Sequence, residues 1–297
     1  MRSGVIIIPH WRGAPDLLAC LASLAAADLA GADVLLVDNG SDDGSVAAAQ
    51  ASFAWIATLR LPENVGFAAA VNAGLRWASD HGAAWALPLN NDTVVAPDFV
   101  APLLACTAAH RRAGLIGPKI LYHSDPTRIW QLADVEHRWW PVPQPLGRDA
   151  RDGPQWTRER RVDYVPFCAV WMRRELIEDV GLLDQRYRLY YEDADYCRRS
   201  RAAGWEVWSA PASQIWHKVS RSARLVAPQS RYWHTQTRVM FYRQHPHGPH
   251  PALTAAYLAT SLGLSLARDL ARARPDLFIA TLRGVWDGLR APVGPRR

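Results

Sequence analysis

The chain has 297 residues, 49% of them hydrophobic and 21% charged, which excludes a solvated tail and fits one large core, or a core plus a small appendage. The net charge of +6 is unevenly spread: residues 221–297 hold twelve Arg, no Lys and three Asp (Asp269, Asp276, Asp287), a balance of +9, against 22 basic and 25 acidic residues in 1–220. The basic residues accompany apolar stretches rather than a recognisable nucleic-acid module, so no nucleic-acid partner is expected.

In chain order, RSGVIIIPHW has four apolar residues before Pro9, too few for a signal-peptide core, so the chain is expected to begin in the cytoplasm. Val5–Pro9 reads as a buried strand, followed by a helix with Leu17, Leu18, Leu21 and Leu24 on one face and Asp16 as its cap. Asp33–Val37 is a second strand, then a turn, DNGSDDGS, and the short helix VAAAQAS. Ile56–Leu61 is a third strand. Gly66–Asp80 is a helix with Phe67, Val71, Leu75 and Ala78 inward, and Trp85–Leu89 is a fourth strand. Residues 98–111 are helical and 115–121 extended. Strands alternating with helices of this length predict an α/β fold with a mostly parallel sheet and right-handed crossovers. Four cysteines (Cys20, Cys106, Cys168, Cys197) without a C-x-x-C pair are expected to be buried thiols.

In open α/β sheets, ligands bind outside the carboxyl ends of the strands, and two motifs fall there. Asp38 ends the second strand; its carboxylate suits a nucleobase imide or a ribose hydroxyl, and Asp43, Gly44 and Ser45 suit a turn and helix start. The alternative, that all are turn and cap residues, has equal standing. At Asn90-Asn91-Asp92, alternation along an extended chain puts Asn90 and Asp92 on one side and Asn91 on the other. A carboxylate with a neighbouring amide oxygen suits Mg²⁺ or Mn²⁺, which borrows further ligands from a diphosphate; a plain turn uses the same letters.

Further on, YRLYYEDADYCRRSRAAGW (187–205) sets Glu192, Asp193 and Asp195 at the start of a helix closed by Gly204. Helix-dipole complementarity explains such a cluster, and an ionised carboxylate held at a helix start also meets the needs of a general base. His217 ends a later apolar run and is followed by Lys218 and Arg221, which suits a third metal ligand with phosphate-binding neighbours, or a structural His.

The ordered set VDNGSDDGS, NVGFAAAVNAGL, LPLNNDTVVAPDFV, GLIGPKI, VDYVPFCAVWMRRELIEDVGLLDQRY, LYYEDADYCRRSRAAGW and IWHKVSRSA resembles family 2 glycosyltransferases, in particular their rhamnosyltransferase-like branch, over roughly residues 1–245. The resemblance implies a GT-A fold and inverting transfer from a nucleotide-activated sugar. It places Asp38 at the base, Asn90 and Asp92 in the metal-and-diphosphate motif, Asp193 as catalytic base and His217 on the metal. Pro9, Asp43, Asn64, Gly66 and Asn91 join the donor-contacting candidates. Glu192 is second choice for the base. Asp195 is assigned to orienting the base or binding acceptor, and Lys218 and Arg221 to offsetting phosphate charge. The chain departs from the family pattern at Asn90, where stricter versions have Asp. It departs again at Phe167, where many relatives have Gly, which is expected to reshape the floor under the donor sugar or acceptor. Gln236 and Thr237 stand where relatives often have Arg-Asn.

Residues 123–161, with Trp130, Trp139, Trp140 and Trp156, are expected to border the acceptor cleft and offer aromatic faces to sugars; pinning an irregular loop is the equal alternative. The organisation expected is a catalytic domain over 1–225, with the nucleotide-sugar part in 1–121 and the acceptor part in 122–225, and a basic helical extension over 226–297. ALTAAYLATSLGLSLA (252–267) is too short to span a bilayer; a peripheral contact with anionic lipid at the inner membrane face is expected, with packing on the catalytic domain or a second copy as the alternative. By resemblance the donor is a dTDP- or UDP-sugar, with rhamnose the best guess, and the acceptor a cell-surface glycan or lipid-linked glycan. Two other classes remain. A nucleotidyltransferase needs a Gly-rich basic loop where PHWRGAPD offers only Gly13 and Arg12, and a non-catalytic sugar-nucleotide-binding protein would share the Asp38 and Asp92 features.

Overall fold

A computed structural model describes residues 4–219, 227–246 and 251–294. One ten-stranded sheet forms the centre, built from β1 (Val5–His10), β2 (Asp33–Asn39), β3 (Ala57–Leu61), β4 (Trp85–Pro88), β5 (Thr93–Val95), β6 (Ala113–Tyr122), β7 (Ile129–Gln131), β10 (Arg160–Val162), β11 (Trp171–Arg173) and β12 (Glu206–His217). The order is β10-β12-β6-β11-β4-β1-β2-β3, with β5 on β12 and β7 on β6. β3, β2, β1 and β4 pair in parallel, as do β6 and β12, whereas β11 runs antiparallel between β4 and β6. The six parallel-running strands therefore bring their carboxyl ends to one edge, and that edge carries the site.

Alternation along β1 explains the layering. Ile6 and Ile8 face one core with Leu17, Leu21 and Leu24 of α1 (Ala14–Ala25) and Leu103 and Cys106 of α4 (Val100–Ala109). Val5 and Ile7 face the other, with Val71, Leu75 and Ala78 of α3 (Phe67–Asp80) and Leu176 of α5 (Arg174–Val180). Strands covered on both faces read as continuous apolar runs, and each such side chain removed from water contributes about 1.5–3 kcal/mol. Phe67 is only partly buried, because it sits in the first turn of its helix. The predicted cysteines are all buried and free.

One local expectation fails. Asp16 does not cap α1: the helix starts after Gly13 at φ 98°, and Asp16 lies in the first turn and accepts from Lys218 Nζ at 2.7 Å. Residues 123–161 are structured. They contain β7, a hairpin of β8 (Ala133–Val135) with β9 (Gln144–Leu146), a short 3-10 turn and β10.

After α2 (Ser45–Ser52) in the first half and α6 (Glu192–Ala202) before β12, the C-terminal region supplies α7 (Ala227–Gln244), α8 (Pro251–Ala271) and α9 (Pro275–Arg290). Helix α9 packs its small face on α7. A Cβ added at Gly284 would lie 2.7 Å from the Tyr232 carbonyl oxygen, and one at Gly288 2.7 Å from that of Gln236, so the two backbones meet only because both positions lack a side chain. The large apolar residues of α9 consequently point away from the core: Ile279, Leu282, Trp286 and Leu289 are all about half exposed. Among the described residues no helix is long and apolar enough to cross a membrane.

Candidate active site

The carboxyl edge is knitted by a polar relay that begins at β1. His10, the last residue of that strand, lies opposite Asp38 in the sheet register and is buried. The Asn91 amide donates to His10 Nδ1 at 2.7 Å, which leaves Nε2–H to donate to Ser45 Oγ at 2.7 Å. Ser45 in turn donates to Asp43 Oδ1 at 2.5 Å. Burial lowers the His10 pKa, against the pull of Asp43 and Asp38, so the neutral ring fits the relay. Burial acts to raise the Asp43 pKa, but hydrogen bonds from the Ser45 hydroxyl and the Gly13 and Ser45 amides outweigh it and hold the pKa at about 2. His10 escaped the sequence reading; its signal was a polar residue closing an apolar run at the strand end.

Asp38 accepts from the Ser41 amide at 2.8 Å, which fixes one of its oxygens at the end of β2. Beside it Asn39, also missed, accepts from Val65 N–H at 2.9 Å and donates to the Gly66 carbonyl at 3.3 Å. Asn64 accepts from the Gly66 amide at 3.0 Å, and its carbonyl accepts from the Arg188 guanidinium. Gly66 adopts φ 91°, and a Cβ there would come within 2.5 Å of Arg188 Cγ. Asn64 and Gly66 therefore shape the turn into α3 and dock the loop before α6 against it. Pro9 lies inside β1 opposite Val37, partly exposed.

The Asn-Asn-Asp stretch does not continue the strand. Residues 91 and 92 form a turn, so the alternation argument fails: Asn91 points to His10, and Asp92 points to β12, where its Oδ1 lies 3.1 Å from His217 Nε2. Asn90 donates its amide to the Cys168 carbonyl, and its own carbonyl accepts from the Thr93 hydroxyl. The pairing of β5 with β12 sets Thr93 opposite His217 and makes the Asp92–His217 contact across 125 residues of sequence. Two ligands on one octahedral ion of this size stand about 3 Å apart, so this oxygen and this ring nitrogen suit a shared divalent cation. Trp130 fixes the imidazole edge-on at 4.8 Å between ring centres, and His217 Nδ1 is buried without a partner. Lys218 is held by Asp16 and donates its amide to the Asp92 carbonyl. Arg221 lies outside the described residues.

Near Cys168 sits the acidic helix start. Burial raises the Cys168 pKa well above the usual thiol value, and Asp92 and Asp193 both add to it, so both carboxylates lie near this thiol. Asp193 Oδ2 accepts from Tyr164 OH at 2.6 Å, and Oδ1 accepts from the Ala194 amide at 2.8 Å. Burial raises the Asp193 pKa, while the Tyr164 hydroxyl and the Ala194 and Phe167 amides pull it back. Glu192 differs: burial, then the neighbouring Asp193 charge, push its pKa well above the carboxylate range, and its Oε2 is buried without a partner. Asp193 thus has both oxygens hydrogen-bonded, whereas Glu192 keeps one oxygen without a partner.

The structure separates two residues from this cluster. Asp195 is fully buried and faces away: Oδ2 pairs with Arg199 at 2.7 Å and Oδ1 with His245 Nε2 at 2.7 Å, which ties α6 to the end of α7. It neither orients Asp193 nor reaches the adjoining cavity. The Phe167 side chain is buried against Tyr196, beneath the floor rather than in it, and only its backbone amide reaches Asp193.

Glu192 and Asp193 open onto a cavity of about 400 Å³. One wall comes from residues 134–148, including Asp134, Glu136 and Pro141; the other comes from the C-terminal helices through His234, Phe241, Tyr242 and Tyr257. Tyr190 and Tyr191, at φ 70° and 66°, line it just before the acidic pair. Bulky residues at positive φ cost about 1–3 kcal/mol each and cluster at functional sites. Trp130, Trp139, Trp140 and Trp156 are not among the lining residues. Trp139 and Trp140 are about half exposed, and Trp156 packs on Leu121, Ile129 and Leu132.

Comparison with known proteins gives the family to which the chain with this strand edge belongs. The sequence pattern of glycosyl transferase family 2 matches residues 5–181. The chain is 30% identical over 260 residues to the N-acetylglucosaminyl-diphospho-decaprenol L-rhamnosyltransferase of Mycobacterium tuberculosis, covering 78% of this chain and 81% of that one. Among solved structures, the mannosyltransferase PcManGT from Pyrobaculum calidifontis in complex with GDP-Man and Mn²⁺ superimposes with a TM-score of 0.60 at 17% identity, over 96% of this chain and 88% of that chain. GalNAc-T7 with UDP, GalNAc and Mn²⁺ gives 0.59 at 16% identity, over 82% and 50%. The fold is thus of the GT-A type, and with the family pattern spanning more than half of its length this chain belongs to glycosyltransferase family 2.

Proposed function

We propose that the protein is an inverting glycosyltransferase that moves a sugar, rhamnose by its similarity to the mycobacterial enzyme, from a dTDP- or UDP-linked donor to a hydroxyl of a glycan or lipid-linked acceptor. The observation that carries this reading is the Asp92–His217 contact at the strand edge, with Asp193 beside the cavity and the Cys168 thiol near both Asp92 and Asp193. Asp38 holds the base and ribose end of the donor, and Asp92 and His217 hold a divalent cation, Mg²⁺ or Mn²⁺, which when bound neutralises charge on the leaving diphosphate. Asp193 accepts the proton of the acceptor hydroxyl as its oxygen attacks the anomeric carbon from the face opposite the leaving group. One carbon–oxygen bond forms as the other breaks, so configuration inverts. Tyr164 keeps Asp193 turned toward the cavity by donating to Oδ2. Cys168 is not a nucleophile in this scheme, since its pKa lies well above the usual thiol value.

Calorimetry with dTDP-rhamnose, UDP-galactose, UDP-glucose and GDP-mannose, with and without Mn²⁺, tests the donor reading. One dTDP- or UDP-sugar is expected to bind at least about tenfold tighter with Mn²⁺. Preference for GDP-mannose would sink the assignment of base and sugar, and no binding by any donor to folded protein would sink the donor site itself.

The outer face of α9 supports a peripheral site of action on the inner membrane face. Ile279, Leu282, Trp286 and Leu289 form a stripe at helical spacing, flanked by the exposed Arg272, Arg274, Arg283 and Arg290. Apolar side chains with surrounding arginines match an anionic bilayer surface; a second copy of the chain is the other occupant for this face. In flotation with phosphatidylglycerol-containing vesicles the wild type is expected to rise with the lipid, and Leu282→Glu with Trp286→Glu to remain below. Equal flotation of both, or a wild type that stays below and is dimeric in solution, would assign the face elsewhere.

A further inference from the structure

We propose that the cavity beside Asp193 receives an uncharged sugar ring of the acceptor, and that Glu192 binds this ring as a neutral hydrogen-bond donor. The inference rests on the proposed transferase function and names the acceptor chemistry of the same site.

The first ground is the inventory of charge around the cavity. Asp134, Glu136 and Asp163 line it together with the acidic pair, while its two lining arginines are turned to carboxylates: Arg198 to Glu136 at 2.7 Å and Arg148 to Asp134 at 4.0 Å. The imidazole on the wall adds no positive charge near neutral pH, because burial, helped by Arg238 and Arg231, lowers the His234 pKa to about 4. Among the described residues that line the cavity, both arginines are turned to carboxylates, so an anionic group entering this space meets no unpaired cation on the lining itself and is disfavoured against a neutral one. A diphosphate or a uronic acid does not belong here; a hydroxyl-bearing ring does.

The second ground is Glu192 itself. It lines the cavity, is only 7% exposed, and its Oε2 is buried with no hydrogen-bond partner. A buried ionised carboxylate with an unpartnered oxygen is costly, whereas the protonated form removes the charge and gains one O–H to donate. The elevated pKa agrees. Adjacent on one turn, Glu192 and Asp193 then divide the labour: one donates to a hydroxyl of the ring, the other takes the proton of the attacking hydroxyl.

The third ground is the wall. Tyr190 and Tyr191, both at positive φ, stand at 5.4 and 5.6 Å from the His234 ring, and Tyr191 continues to Phe241 at 5.2 Å. The backbone is held in an unfavourable conformation at two successive aromatic residues, which presents their rings at the cavity. Aromatic faces suit the C–H faces of a sugar ring, and the hydroxyls around its rim suit the carboxyls.

Saturation-transfer NMR with hexyl β-D-glucoside, hexyl N-acetyl-β-D-glucosaminide and hexyl β-D-glucuronide, in the presence of UDP and Mn²⁺ at pH 7.5, tests this on the full chain. The two neutral glycosides are expected to bind, with the glucuronide weaker by about tenfold or more. Glu192→Gln, which keeps a neutral donor, is expected to bind the neutral glycosides within about threefold of wild type, and Glu192→Met to weaken them about tenfold. Glucuronide binding equal to that of the glucoside, or Met and Gln variants alike, would overturn the proposal. Binding of UDP without any glycoside would overturn it and leave the transferase reading standing; glycoside binding without any nucleotide would support the pocket and remove the transferase reading.

Discussion

Asp193→Asn is expected to lower glycosyl transfer about 10²–10⁴-fold, the range supplied by a positioned general base, while leaving donor affinity unchanged. The amide is nearly isosteric: with its oxygen toward the Ala194 amide, its NH2 can donate to the Tyr164 oxygen instead of accepting from it, so the wall of the cavity survives and the loss falls on proton transfer. The pH dependence carries an independent signature. Burial raises the Asp193 pKa, and the base acts only when deprotonated. The acid limb of kcat/KM therefore falls as pH drops through a pKa above the ordinary carboxylate range, and this limb disappears in the variant. Steady-state kinetics across pH with calorimetry on the same samples distinguishes the outcomes. Unchanged turnover would transfer the role to another group, and a loss matched by lost donor binding would make Asp193 part of the donor site. Intact donor binding in a wild type that neither transfers nor hydrolyses the sugar would select the non-catalytic reading.

Asp92→Ala is expected to weaken Mn²⁺-dependent donor binding by at least about 100-fold. Groups that merely orient metal ligands cost 10–100-fold when removed, so a ligand itself costs no less. The side chain is held to His217 Nε2 at 3.1 Å, and a simple ion pair would explain that contact equally well. Chelator separates the two. With EDTA present, wild type and variant are expected to bind donor with the same low affinity, because the carboxylate acts on the diphosphate through the cation. A variant still weaker than wild type in EDTA would mean that Asp92 contacts or shapes the donor directly. Binding by wild type that ignores Mn²⁺ would remove the metal site altogether.

The sheet was legible because its strands are buried on both faces: Val5 to Ile8 leave no other reading, and the turn residues at 39–44 mark where the second strand stops. Asp38 and the 90–92 motif were placed at the correct edge by the same logic. What the sequence did not show is what its distant parts do to each other. Alternation predicted Asn90 and Asp92 on one side, yet the chain turns there, because the short strand after it must reverse to pair with β12. Lys218 looked like a phosphate ligand from its neighbours in sequence, but α1 presents Asp16 to it from 202 residues away. Asp195 shared a motif with the candidate base and points to the opposite side of the helix, where the fourth residue on, Arg199, and His245, just past the end of α7, take both its oxygens. Local pattern specifies which elements form; the partners of a polar side chain are set by which elements become neighbours.

The grip of His245 on Asp195 also bears on how the chain is made. Strands β3, β2, β1 and β4 can pair within the first 88 residues, but β5 and β6 join this sheet only when β11 and β12 have been made. Asp195 is synthesised fifty residues before its imidazole partner, and Tyr257, which closes the cavity, follows later still. Both the Asp92–His217 contact and the cavity are thus completed only after most of the chain has been made, with the cavity last.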